Sequence, residues 1–198
     1  MTNLKDDPTQ WFPMPAVLIT CQPPEGKANL MGIGYVGFTC WQPPTICLGI
    51  NTARYSGEVI RQTREFVVAL PGPDHVLNMD YCGFISGVDC DKFQAAGFTP
   101  VPGEIVKAPL IRECPVNLEC QLREVITVGS HDLFLGQVVK THVDEQCLSG
   151  EERLRPLVLV SRRYMAATEF ICDFGASAGN PPELSSMHDD QALVEQRR

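Results

Sequence analysis

The chain has 198 residues, 44% of them hydrophobic and 20% charged, with a net charge of −8. This is the length of one domain able to bury a sizeable core, and the acidic balance argues against nucleic acid as a partner, which would favour a basic stripe. No apolar run is long enough to span a bilayer, and the polar, charged opening 1–8 does not read as a signal peptide, so no membrane is expected.

The first predicted element is an apolar strand over 16–21, ended by Pro23, Pro24 and Gly26. A literal G-x-G-x-x-G follows at Gly32, Gly34 and Gly37. A dinucleotide fingerprint of that form opens a helix, because the pyrophosphate sits on the helix N-terminus. Here Phe38, Thr39, Cys40 and Trp41 lead into Pro43 and Pro44, through which no long helix runs. The segment reads as strand, glycine-rich loop, Pro-Pro and strand, with the loop open to a planar or phosphorylated ligand. Runs 45–50 and 66–70 have the compact pattern of buried strands. Three short helices are expected: one capped by Ser56 through 58–62, one capped by Asp74 and stopped at Gly83, and one from Asp89 stopped at Gly97. Strand 116–128 alternates Leu118, Cys120 and Leu122 with polar residues, and 133–143 continues after a turn at Gly129 and Ser130. The two predict a long antiparallel hairpin, with Gly136 marking a bulge or close backbone approach.

The stretch 175–198 changes to Ala, Ser, Gly, Pro, Asp and Glu with no apolar period. It predicts a polar, mobile tail or an arm on a partner subunit, leaving 1–174 as the domain. The nine cysteines are scattered in apolar settings without a C-x-x-C. They suggest neither a disulfide framework nor a zinc site, and reduced thiols in a cytoplasm are the simplest reading. No metal is expected.

On the bare residues, Arg54 offers a planar fork for phosphate oxygens, and Ser56 adds a hydroxyl beside free helix-terminal donors. Asn29 reads as a turn residue, Lys92 as a solvated helix lysine, and Cys40 as a core thiol or a ligand-facing one. His131 sits at the mouth of the hairpin, His75 and His142 look like surface positions, and His188, Asp189 and Asp190 belong to the tail.

The order of motifs carries more. The run from Asn29 and Met31 through Pro43 and Pro44 to Arg54, Tyr55 and Ser56 is followed by Glu65 and Phe66, and then by Cys82 and Gly83. An S-G-x-D-x-D-K-F block at Ser86 to Phe93, Ala108 and Pro109, Leu118 to Cys120, and His131 with Gly136 to Val138 complete the series. Over roughly 12–170 this resembles the flavin reductase-like, FMN-binding split-barrel family, and flavoredoxins most closely.

The resemblance implies a mainly β (α+β) fold, an antiparallel Greek-key split barrel with short peripheral helices, in a homodimer that binds FMN. It implies that Asn29 hydrogen-bonds the flavin and that Met31, Gly32, Ile33, Gly34, Tyr35 and Cys40 wrap it. Arg54, Tyr55, Ser56 and Lys92 would hold the phosphate end, with His131 and Tyr164 beside the isoalloxazine. His131 and Cys40 are the catalytic candidates. Glycine at 32 and 34, where relatives often carry hydroxyl side chains, leaves backbone donors in their place. The implied activity is electron transfer from NAD(P)H through FMN to a ferric chelate, free flavin or redox protein. A flavin-binding electron carrier reduced by a protein partner, and a small-molecule binding or sensing module, are the other readings.

Overall fold

The computed structural model describes residues 11–149 and 154–167. The tail expected over 175–198 lies outside the described residues. Among the described residues, twelve strands run in chain order: β1 Met14–Pro15, β2 Val17–Cys21, β3 Asn29–Ile33, β4 Val36–Cys40, β5 Thr45–Asn51, β6 Glu65–Leu70, β7 Pro100–Val101, β8 Leu110–Ile111, β9 Val116–Thr127, β10 His131–Val143, β11 Leu157–Val160 and β12 Arg163–Ala166. The main helices are α1 Tyr55–Thr63, α2 Val76–Phe84 and α3 Lys92–Ala96.

Seven strands form one antiparallel sheet in the order β3-β2-β6-β9-β10-β5-β4. Its two edge strands, β3 and β4, are consecutive in the chain and joined only by Gly34 and Tyr35. So short a link brings both edges together, and the sheet curls into a barrel that stays unpaired along this seam. That is the split barrel. β2 is buried on both faces: Val17, Ile19 and Cys21 point into the barrel core, while Leu18 joins a second core beneath α2 and α3. This explains its continuous apolar run.

The predicted hairpin is present as β9 and β10, with a register shift at Leu135 and Gly136. Helix boundaries differ from expectation. α1 starts after Arg54, which has extended backbone and no side-chain cap, so Ser56 lies inside the first turn. α2 follows a 3-10 turn at Pro73–His75 and runs through Gly83 instead of stopping there. Gly83 continues the helix because its bare backbone packs on Gly32, and a Cβ at Gly32 would lie 2.5 Å from the Met79 carbonyl oxygen. α3 begins not at Asp89 but after Asp91, and the Asp91 Oδ1 caps it by accepting from the Gln94 N–H at 3.2 Å. Gly97 ends it in left-handed conformation, φ 70°.

The two histidines expected at the surface are both engaged. His75 is half-buried against the Phe98 ring, and His142 Nε2 lies 2.6 Å from Glu119 Oε1. Arg61 of α1 pairs with the buried Asp132 of β10 and lies over the Phe134 ring. The helix is thereby tied to the strand that carries His131.

Candidate functional site

The loop between β5 and α1 is fixed at three points. Asn51 Oδ1 accepts from the Ala53 N–H at 3.0 Å, the Asn51 carbonyl accepts from Arg54 N–H, and the Ser130 carbonyl accepts from Thr52 N–H at 3.1 Å. Arg54 and the first turn of α1 therefore sit beside the hairpin turn that precedes His131.

Arg54, Tyr55 and Ser56 line a small cleft of about 70 Å³ together with Asn29, Met31 and Lys92, closed over by Ile85, Ser86 and Gly87. Lys92 is not a solvated lysine: it is 3% exposed, and its Nζ donates to the Cys82 carbonyl at 2.8 Å. Burial, aided by the charge of Arg54, lowers its pKa below the ordinary lysine value. Two cations thus converge on a lining that contains no carboxylate, an arrangement suited to an anion. Asn29 Nδ2 donates to Ser56 Oγ at 2.8 Å, across 27 positions of sequence. Asn29 Oδ1 is buried without a hydrogen-bond partner. Cys21 lies beneath this pair, and burial pushes its thiol up to about 12. It stays protonated and inert at neutral pH.

A larger cavity of about 650 Å³ opens on the other side of the seam, lined by residues 35–39 of β4 and its approach, by Cys47 and Gly49 of β5, and by Val128, Ser130, His131 and Leu133. Tyr35 and His131 meet here edge to face, with ring centroids 5.1 Å apart. The backbone of Gly49 makes this possible, since a Cβ there would lie 2.9 Å from that of Tyr35. Ser130 Oγ is 3.0 Å from His131 Nδ1, which leaves Nε2 for a ligand. A third cavity, about 190 Å³, is lined by Gly32, Ile33, Gly34, Arg54, Asp80 and Tyr164 among others. Tyr164 donates its hydroxyl to Asp80 Oδ1 at 2.7 Å. Burial and then the neighbouring carboxylate raise its pKa, so the hydroxyl stays protonated, and with its proton given to Asp80 the oxygen is left to accept.

Every residue expected at the site lines one of these three cavities except Cys40. Its thiol is exposed and lies 3.3 Å from the Gln42 carbonyl, at the far end of β4, neither in the core nor in the cavity lining. Gly32 has a duty beyond the one expected. Gly32 is bare because α2 packs on it, and the glycine-rich stretch is largely strand, with only Gly34 and Tyr35 as connection. Sequence reasoning missed Gly87 and Asp80. A Cβ on Gly87 would lie 2.6 Å from Asn29 Cγ, so glycine is required where the 85–91 loop crosses the amide. Its place in the S-G-x-D block was the available signal. Nothing in the sequence pointed to Asp80.

These residues fit a phosphorylated cofactor such as FMN. Two cations and a helix-terminal hydroxyl suit a phosphate, the orphaned Asn29 Oδ1 calls for a donor, and an aromatic-lined cavity lies alongside.

The description "flavin reductase like domain" matches residues 9–168 of this chain. Among solved structures, flavoredoxin of Desulfovibrio vulgaris (Miyazaki F) is similar at 32% identity and TM-score 0.82, covering 91% of this chain and 100% of that one. Flavoredoxin from Methanosarcina acetivorans is similar at 30% identity and TM-score 0.78, covering 89% and 99%. An FMN-binding protein from Thermus thermophilus, with bound 1-cyclohex-2-enone, shares the fold at 21% identity and TM-score 0.75, covering 87% and 97%. An uncharacterized protein of Archaeoglobus fulgidus is 33% identical over 119 residues, 60% of this chain and 67% of that protein. With the barrel, the seam and the cavities in place, and with a family match over most of its length, the chain belongs to the flavin reductase-like domain family.

Proposed function

We propose that the protein is an FMN-dependent oxidoreductase of the flavin reductase or flavoredoxin kind, passing electrons from NAD(P)H to a ferric chelate, free flavin or redox protein. The observation that carries this reading is the buried Lys92 together with the half-buried Arg54, both lining a cleft free of carboxylates beside the Tyr35 and His131 cavity. Lys92, Arg54 and Ser56 would bind the phosphate of FMN, whose bound ring accepts a hydride and releases electrons singly or in pairs. Tyr35 and His131 orient the ring and screen it from water. With Nδ1 engaged by Ser130, His131 holds or gives a proton at Nε2. The terminal phosphate favours FMN over riboflavin.

The active form is a homodimer. Support comes from the exposed edge strand β4, where Phe38 is 63% and nearby Trp41 88% exposed, an apolar edge of the kind that pairs with a second chain. The free thiols among the described residues fit a reducing compartment such as the cytoplasm.

The test is to load the protein with FMN and add NADH or NADPH under argon. Bleaching of the flavin absorbance supports the nicotinamide-dependent reading. FMN that binds but stays oxidised leaves the alternative, an electron carrier reduced by a protein partner. Failure to bind FMN removes both.

A further inference from the structure

The cavity between α2 and the β11–β12 hairpin differs in chemistry from the phosphate cleft. It has a volume of about 190 Å³, with walls that include Ile33, Met79, Phe84 and Leu159. An apolar cavity of roughly 150 Å³ is already enough for one benzene ring. Three charged or hydroxyl-bearing side chains line it: Arg54, Asp80 and Tyr164. Asp80 takes no part in the phosphate cleft. It stands on α2, and its partner Tyr164 stands on β12, 84 positions away in sequence.

The Tyr164–Asp80 bond has one sense. A carboxylate oxygen accepts, so the phenol donates. The hydroxyl has a single proton, and Asp80 engages it. What Tyr164 Oη still offers the cavity is an acceptor. Without Asp80, the same hydroxyl would rotate to suit either kind of partner. The charges of the lining are uneven as well. Arg54 lines the phosphate cleft as well as this cavity. Once a phosphate engages its guanidinium, Asp80 is the unbalanced charge among the described lining residues.

We propose that this cavity binds a small uncharged ring compound whose hydroxyl or N–H donates to Tyr164 Oη, with Asp80 as the positioning residue that fixes this sense. The apolar walls take the ring. A ring that lacks a donor leaves the Tyr164 oxygen without a partner. A carboxylate, or an anionic ferric chelate, meets the charge of Asp80 and is disfavoured. The charge selection rests on the flavin reading, because it needs Arg54 held by the phosphate of FMN. The hydrogen-bond selection does not.

Ligand-observed NMR titration of the full chain with phenol, anisole and benzoate, three single-ring probes of similar size, tests this. Without flavin, wild type should bind phenol at least about fivefold more tightly than anisole, the worth of one ordinary hydrogen bond. Tyr164→Phe should bring the two within about twofold by weakening phenol. Asp80→Leu should also bring them together, but by strengthening anisole, since the freed hydroxyl can now donate. A pair that only tethers the hairpin predicts instead that both variants weaken every probe alike, and that result overturns the proposal. With FMN bound, benzoate should bind at least about fivefold more weakly than phenol. Asp80→Asn keeps the shape, removes the charge and should bring that gap within about twofold. Equal wild-type binding of phenol and anisole overturns the proposal without any variant, so a misfolded Asp80→Leu protein does not protect it. An unchanged ratio in folded Tyr164→Phe overturns it as well, by placing phenol elsewhere. If FMN does not bind, the flavin reading fails, and the flavin-free preference for phenol still decides the site. If FMN binds and benzoate matches phenol, the charge selection is overturned while the flavin reading stands.

Discussion

The ring of Phe66 packs directly on the backbone of Gly136, so that a Cβ at position 136 would lie 2.6 Å from Cε1. Phe66 is wholly buried on β6 and cannot swing aside. The β9–β10 ladder shifts register at this point. Gly136→Ala should therefore destabilise the fold by about 1–3 kcal/mol or more through overpacking. Gly129→Ala in the hairpin turn, where a Cβ meets nothing within 4 Å, should stay within about 0.5 kcal/mol of wild type. Urea unfolding of both variants checks the contrast, and equal midpoints would contradict it.

Glu119 gives a pH-dependent prediction. Its buried carboxylate accepts from the backbone N–H groups of Glu104, Ile105 and Val106 and from His142. Burial alone would raise its pKa, but these hydrogen bonds overcome burial and hold it below the ordinary 4.5. A lowered folded value means stability fully present above about pH 4.5 and lost as pH falls through that lowered value. Glu119→Gln keeps the shape and loses the charge. It should cost about 1–3 kcal/mol at neutral pH and flatten the acid limb of stability. Denaturant midpoints measured across the acid range would show this, and an acid limb as steep as that of wild type would count against it.

Lys92 should make flavin binding sensitive to alkali. Its pKa is lowered by burial and by Arg54, and only the protonated form attracts a phosphate. FMN affinity should then decline with rising pH, starting below the ordinary lysine value of 10.5. Lys92→Met should weaken FMN by about tenfold or more, as expected for loss of a charged hydrogen bond, and should remove the alkaline decline. Riboflavin should show neither effect. A Lys92→Met protein that retains wild-type FMN affinity would place the phosphate elsewhere.

His131→Ala should lower the flavin midpoint potential, because an imidazole beside the reduced ring favours reduction through its field. Stability should change little, since His131 is half-exposed and outside the core clusters. A lowered melting temperature with an unmoved potential would reduce His131 to a turn residue bonded to Ser130.

An unfilled edge strand makes the remaining prediction. Light scattering at micromolar concentration should give a dimer, and Phe38→Lys, on exposed β4, should shift it towards monomer without unfolding it. Obligate interfaces commonly bury about 2,000 Å² or more, so one charge at the edge should be felt. A wild-type monomer that still carries FMN would rule the dimer out.

Much of this was legible in the sequence. The alternation of Leu118, Cys120 and Leu122, the two-sided apolar run of β2, and the breakers around Pro43 and Pro44 give strands because local periodicity and backbone preference are local properties. Nearly every residue that the family's motifs named likewise lines one of the three cavities. What the sequence could not supply was proximity and direction. That Asn29 donates to Ser56 depends on β3 and α1 meeting at one end of the split barrel. That Lys92 is buried depends on α3 packing over the second core, which reverses what its neighbouring aspartates suggest. Gly32 serves helix α2, and Cys40 ends up exposed at the end of an edge strand. Such outcomes depend on how the sheet curls and which element covers it, a cooperative property of the whole chain, and only the tertiary structure decided them.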